Sequence, residues 1–180
     1  MYERTVDLRP RTCRAKHLLV QFDGHPHGSV RRRWFSYDAE IRLTCRRRFQ
    51  FKGQLRKINI LPPEWFRLLD ATDGSVVSTA QDKKLPGFHF ALDLGLCGVQ
   101  AELTYKRGFS ASGYDVVQNG RVVAEACEGT GESRAWYRVF SRVWRVRGES
   151  ELDHLDLLFI ALICETLESR RGDGGSGGGG

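Results

Sequence analysis

The chain has 180 residues, 41% of them hydrophobic, with 28 Lys/Arg against 22 Asp/Glu and a net charge of +6. That length suits one domain able to bury about two-thirds of its unfolded surface, so folding requires neither a metal nor a disulfide framework. Five cysteines, Cys13, Cys45, Cys97, Cys127 and Cys164, are spread widely with no C-x-x-C pair, which argues against a zinc or redox motif and suits a reducing compartment.

The N-terminal MYERTVDLRPRTCR is charged throughout and has no apolar core, unlike a secretory signal, so a cytoplasmic protein is expected. The charge is unevenly placed: residues 1–70 hold 16 Lys/Arg against 7 Asp/Glu, and residues 71–180 hold 12 against 15. Such asymmetry points to an anionic partner, nucleic acid or an acidic membrane surface.

In chain order, His17 to Phe22 is a short apolar strand closed by Asp23-Gly24, and HPHGSVRRR (25–33) reads as a loop. His25-Pro26-His27, with Asp23 and His17 nearby, has no defined ligand geometry, and no metal is assigned. Arg31, Arg32 and Arg33 precede Trp34 and Phe35, a pairing suited to a membrane interface, to base stacking, or simply to the start of a strand.

IRLTCRRRFQFKG (41–53) alternates apolar and polar with period two, broken only at Arg47, and is read as one continuous half-buried strand. On that reading Arg42, Arg46, Arg48 and Lys52 share one face, and Arg56 and Lys57 follow in the extended LRKINI. Guanidinium forks suit phosphate, so these six residues form the candidate anion-binding site; the alternative is a solvated barrel face.

Two hairpins look alike. FRLLDATDGSVVSTA (66–80) and YDVVQNGRVVAEA (114–126) both run aromatic, polar, two aliphatics, a turn ending in Gly, one polar residue, Val-Val and later Ala, hinting at a repeated half-structure. Between them FHFALDL and VQAELTY read as strands punctuated by glycine. WYRVFSRVWRVRG (136–148) is a further strand in which Arg138, Phe140, Arg142 and Trp144 share a face, most simply for packing.

SELDHLDLLFIALICETLES (150–169) is the exceptional segment. Ser150 with Asp153 resembles a capping box, and Leu157 to Cys164 is apolar at every position. An amphipathic surface helix would interrupt that run, so this helix is expected to be surrounded by protein, with Leu155, Leu158, Phe159, Leu162 and Ile163 in the core. The run is far shorter than the roughly 20 residues a membrane span needs. Cys164 within it is expected to be inert core, and His154 structural or exposed. Residues 171–180 form a flexible glycine-rich tail outside a single domain spanning 1–170.

Many short antiparallel strands followed by one wholly apolar helix predict a mainly β protein: a closed antiparallel barrel surrounding a hydrophobic C-terminal helix. In this arrangement, and in FRLLDATDGSVVSTAQ, YDVVQNGRVVAEA and LDHLDLLFIALICETLE, the chain resembles the tubby C-terminal-like superfamily, on its LURP-one-related and phospholipid scramblase-like side. The chain lacks the tubby C-terminal signature, the proline- and cysteine-rich leader of scramblases and a calcium-type acidic loop, so scrambling is not implied. The resemblance implies a non-enzymatic module. In tubby proteins a basic barrel face binds phosphoinositide head groups.

No nucleophile elbow, phosphate loop, dinucleotide fingerprint or zinc-protease motif occurs, so neither catalysis nor a cofactor is expected. The partners weighed are acidic lipid, with the protein sitting peripherally at a membrane; nucleic acid, favoured less because no recognised module motif is present; and a protein of unknown identity. A small-ligand carrier is disfavoured, because the helix should fill the lumen.

Overall fold

The computed structural model describes residues 4–10, 17–32, 37–54, 65–83, 91–107, 112–129 and 143–173. Twelve strands occur in chain order: β1 (Arg4–Pro10), β2 (His17–Phe22), β3 (His25–Arg32), β4 (Ala39–Leu43), β5 (Arg48–Gln54), β6 (Trp65–Asp70), β7 (Val76–Asp82), β8 (Ala91–Leu96), β9 (Val99–Arg107), β10 (Ser112–Gln118), β11 (Arg121–Gly129) and β12 (Val143–Gly148). Each pairs antiparallel with the next, and β1 pairs with β12 through Arg4↔Gly148 to Leu8↔Trp144, closing the barrel. Closure leaves no open sheet edge among the described strands for another chain to extend.

The helix α1 (His154–Asp173) follows β12. From Asp156 to Glu168 every residue is buried, and Leu158, Phe159, Leu162 and Ile163 are fully enclosed, as the unbroken apolar run requires. Leu155, in the first turn, is only partly buried. Twelve strands roughly 4.8 Å apart and tilted by about 40° enclose a cylinder about 24 Å across. A helix about 10 Å wide leaves room for one layer of wall side chains.

The helix lies nearest β1, β12 and β11. Small residues face it there, Ala124, Ala126 and Gly148. The more distant wall is filled by Phe49, Phe51 and Phe66, and Phe159 reaches across to Phe51 with ring centroids 5.9 Å apart.

The sequence reading of 41–53 as one strand is corrected. β4 and β5 are separate strands of a hairpin, paired Ala39↔Phe51, Ile41↔Phe49 and Arg42↔Arg48. The Arg46 amide donates to the Leu43 carbonyl and the Leu43 amide to the Arg47 carbonyl, enclosing a three-residue loop in which Arg46 takes φ +65°. Such loops place a left-handed residue at that point, usually Gly. Partners across this hairpin share parity, so Ile41, Phe49 and Phe51 all face inward although the chain reverses between them. Residues 25–33 are likewise corrected: 25–32 form β3, paired with β2 and β4, and not a loop.

The helix cap also lies three residues beyond the expected one. Asp153 Oδ1 accepts from the Asp156 amide at 2.8 Å, and Asp156 Oδ2 accepts from the Asp153 amide at 3.4 Å. This is a reciprocal box with Asp at both ends, ahead of a helix that begins at His154.

The paired hairpins noted in the sequence are β6–β7 and β10–β11, and each carries a register shift after its fourth matched residue, at Leu68/Leu69 and Val116/Val117. A third shift occurs in β2–β3 at Val20/Gln21. Val20, Leu68 and Val116 are spaced by 48 residues in each case, so the same bulged hairpin recurs every fourth strand. Turns at Asp23-Gly24, Gly74 and Asn119-Gly120 close all three with positive φ.

Candidate functional site

The wall made by β3, β4, β5 and β6 carries the cationic residues. Inward positions are apolar, Val30, Ile41, Phe49, Phe51, Phe66 and Leu68, so the alternate residues must project outward. Arg42 and Arg48 lie directly opposite one another on β4 and β5. Lys52 lies opposite Arg67 of β6. All four are exposed. Arg31 projects from β3 opposite Glu40.

Of the six residues expected to form the site, Arg42, Arg48 and Lys52 share this wall. Arg46 is exposed at the tip of the β4–β5 loop, not in the strand row. Arg56 and Lys57 lie outside the described residues. The wall also recruits Arg31 and Arg67, which the sequence reading left out. Arg67 sits in a hairpin read only for its repeat, and its outward position between Phe66 and Leu68 was the available signal.

Like charges placed directly opposite across a sheet oppose folding. The wall does little to relieve them. Arg42 approaches the Glu40 carboxylate at 3.5 Å with both side chains largely exposed, a contact that solvent weakens. Arg67 stacks on the Trp65 ring at 4.7 Å. Arg48 and Lys52 have no carboxylate partner among the described residues. At the adjoining loop Arg47 reaches Asp70 at 3.7 Å and lies over Phe49 at 4.9 Å. Between the two basic pairs lies a cleft of about 160 Å³ lined by Asp38, Ala39, Glu40, Gln50, Phe51 and Lys52.

Elsewhere on the outer face, among the described residues, cations are paired with carboxylates at two clusters. Asp7 on β1 accepts two hydrogen bonds from Arg145, at 2.8 and 3.0 Å, and one from Arg9 at 3.0 Å. Burial pushes the Asp7 carboxyl upward, but the two guanidinium groups outweigh it and hold the group below its ordinary value. Asp93 and Glu102 on the β8–β9 side both pair with Lys83.

Inside the barrel, polar groups cluster at the two ends of the helix. Near its start Asp156 Oδ1 accepts from the Cys97 amide at 3.0 Å and the Ser78 hydroxyl at 3.3 Å. Burial, reinforced by Asp153, raises the Asp156 carboxyl above its ordinary value, against the pull of these hydrogen bonds. Cys97, Asp153 and Asp156 bring three possible metal-ligand atoms within 4.8 Å of one another. Their oxygens are already used in capping, and the positive end of a helix disfavours a cation, so we assign them to the cap.

Toward the other end Glu165 pairs with Arg32, whose guanidinium also donates to Thr166 Oγ1 at 3.1 Å, and Tyr114 donates to Glu168 at 2.8 Å. Burial lowers Arg32 to about 10, which leaves it charged at neutral pH. Trp144 faces the core, as its alternation with Arg145 and Arg147 dictates, whereas Arg138, Phe140 and Arg142 lie outside the described residues. Cys164 is fully enclosed, and burial drives its thiol well above the ordinary value, so it is protonated core.

Among the described residues no helix is long and apolar enough to cross a membrane. Compared with known proteins, the chain matches no family model, no curated protein and no solved structure.

Proposed function

We propose that the protein is a non-enzymatic, cytoplasmic binding module that docks anionic phosphate, the head groups of acidic lipids, on the wall formed by β3 to β6. One observation carries this reading: two like-charge pairs, Arg42 with Arg48 and Lys52 with Arg67, stand opposite each other on one exposed wall. Their repulsion opposes folding, and a ligand of opposite charge would relieve it. Guanidinium forks on adjacent strands also offer the bidentate geometry that phosphate takes. A closed barrel around a hydrophobic helix agrees with the tubby-like resemblance, in which a basic barrel face meets phosphoinositides.

Co-sedimentation with acidic vesicles at low and high salt tests the reading. Each basic residue near an acidic leaflet contributes about 1 kcal/mol, so an Arg42→Glu, Arg48→Glu variant should bind at least about thirtyfold more weakly. Binding that persists undiminished in this variant refutes the wall. Retention of single-stranded oligonucleotides but not vesicles, falling steeply with salt, would replace lipid by nucleic acid.

A further inference from the structure

The wall is not uniformly basic, and its interruption has a definite shape. Glu40 and Gln50 face each other across β4 and β5, midway between the Arg42–Arg48 pair and Lys52, and with Asp38 they line the 160 Å³ cleft. Pockets that swallow a whole small molecule run to about 300 Å³ or more, so this cleft is sized for the end of a head group. An inositol polyphosphate would meet two carboxylates there and gain nothing from them.

The charges read in order along the strands. Two cations at Arg42 and Arg48 suit a phosphate. Two residues further along β4, about 6.6 Å away, the Glu40 carboxylate suits an ammonium. Beyond it Lys52, with Gln50, suits a carboxylate. A phosphoserine head group has its phosphate at one end of the three-carbon unit and its ammonium and carboxylate together on the far carbon, so one charge of each sign enters the cleft beside Glu40 and Lys52.

The Glu40–Arg42 contact adds a second argument. At 3.5 Å, with the Arg42 side chain 62% and the Glu40 side chain 41% exposed, it is weak and exchangeable. A purely anionic ligand that recruits Arg42 leaves the Glu40 carboxylate beside new negative charge. A ligand carrying both signs takes over both halves of the pair.

We propose that the lipid recognised by this wall is phosphatidylserine, with its phosphate held by Arg42 and Arg48, its ammonium by Glu40 and its carboxylate by Lys52. The assignment rests on the lipid-docking reading and narrows it to one head group. The discriminating comparison is phosphatidylserine against phosphatidylglycerol in a phosphatidylcholine background, because the two have the same net charge and only the first carries an amine.

Wild-type protein should bind phosphatidylserine vesicles about threefold to fivefold more tightly than phosphatidylglycerol vesicles, the scale of one or two exposed ion pairs. Glu40→Gln should erase that preference from both sides, weakening binding to phosphatidylserine and strengthening binding to phosphatidylglycerol. Lys52→Gln should weaken phosphatidylserine binding more than phosphatidylglycerol binding, since only the first has a carboxylate to lose, giving an independent reading should Glu40→Gln fail to fold.

Equal wild-type binding to the serine and glycerol lipids, or a Glu40→Gln change of the same sign for both, overturns the head-group assignment while leaving acidic-lipid docking intact. Tighter binding to phosphoinositide than to phosphatidylserine at matched charge also overturns it. Failure to bind any acidic vesicle overturns the docking reading itself.

Discussion

Replacing Gly148 by Ala probes the fit between helix and barrel at its closest point. A Cβ built at Gly148 would lie 2.5 Å from Leu157 Cδ2, 3.3 Å from Leu157 Cδ1 and 3.4 Å from Leu152 Cδ1. Carbon atoms in contact sit about 3.5–4.0 Å apart, so the first contact overlaps by about 1 Å. Leu157 is fully enclosed and Leu152 nearly so, and neither can swing into solvent. Inserting a methyl group into a packed core costs about 1–3 kcal/mol. The lost flexibility of the unfolded chain returns about 0.4–1 kcal/mol. The net expectation is a loss of about 1–2 kcal/mol, or about 2–8 °C in Tm for a chain of this size.

Urea unfolding followed by tryptophan fluorescence reads this change, since Trp144 is wholly buried beside the same strand pair. Gly129→Ala is the internal control, because among the described residues its Cβ would meet only the Val143 carbonyl at 3.7 Å, an ordinary contact. Leu157→Ala removes the obstruction, so the double variant should be less destabilised than the two single losses together by at least about 1 kcal/mol. A Gly148→Ala protein as stable as wild type, or strict additivity with Leu157→Ala, refutes the claim that α1 is pressed against β12.

Other substitutions test other parts of the structure. Arg46→Gly relieves a left-handed residue in the β4–β5 loop and should stabilise the protein by about 0.5–1 kcal/mol; a lower Tm would contradict the loop geometry. Asp7→Asn should be less stable than wild type at neutral pH. Because the native Asp7 carboxyl is depressed, its contribution is complete above the ordinary value of 3.8 and disappears as pH falls through the lower native value. The gap between the two proteins should therefore close on acidification, and a pH-independent gap would exclude the ion pairs as its cause. Leu158→Asp or Leu162→Asp places an unpaired charge in the core and should abolish cooperative folding; a soluble, cooperatively melting variant would mean that the helix does not occupy the barrel.

The architecture was legible because two signals were unambiguous: period-two strands separated by turn residues, and an apolar run from Leu157 to Cys164 that no surface helix tolerates. The β4–β5 reversal was hidden by arithmetic. Residues paired in that hairpin share parity, so alternation passes through the loop unbroken apart from Arg47, and the one irregular residue marked the turn. The cap was misplaced because Ser150 and Asp153 satisfy the same pattern as Asp153 and Asp156, and only the helix start decides between them. The third bulged hairpin escaped notice because HLLVQFDGHPHGSV shares the turn and spacing of the other two but lacks their Val-Val pair. For the site, Arg42, Arg48 and Lys52 were accessible from alternation within one segment. Arg31 and Arg67 join them only through the registers of β3 with β4 and β5 with β6, which a linear sequence does not print.

The order of elements along the chain has a consequence for biogenesis. The helix that fills the barrel is translated after all twelve described strands, and β12, which must pair with β1 to close the wall, directly precedes it. Strands emerging earlier from the ribosome have neighbours to pair with but nothing to cover their apolar faces. Val20, Phe51, Phe66 and Leu94, among many others, stay wet until the final turns of α1 arrive. Folding of the barrel therefore waits for α1, and its contacts join β1 to β12 and to the helix, the long-range condition under which folding is slow and exposed to aggregation. A chain cut short of Leu157 keeps every described strand but has no helix for them to wrap, so loss of α1 is as damaging as loss of a strand.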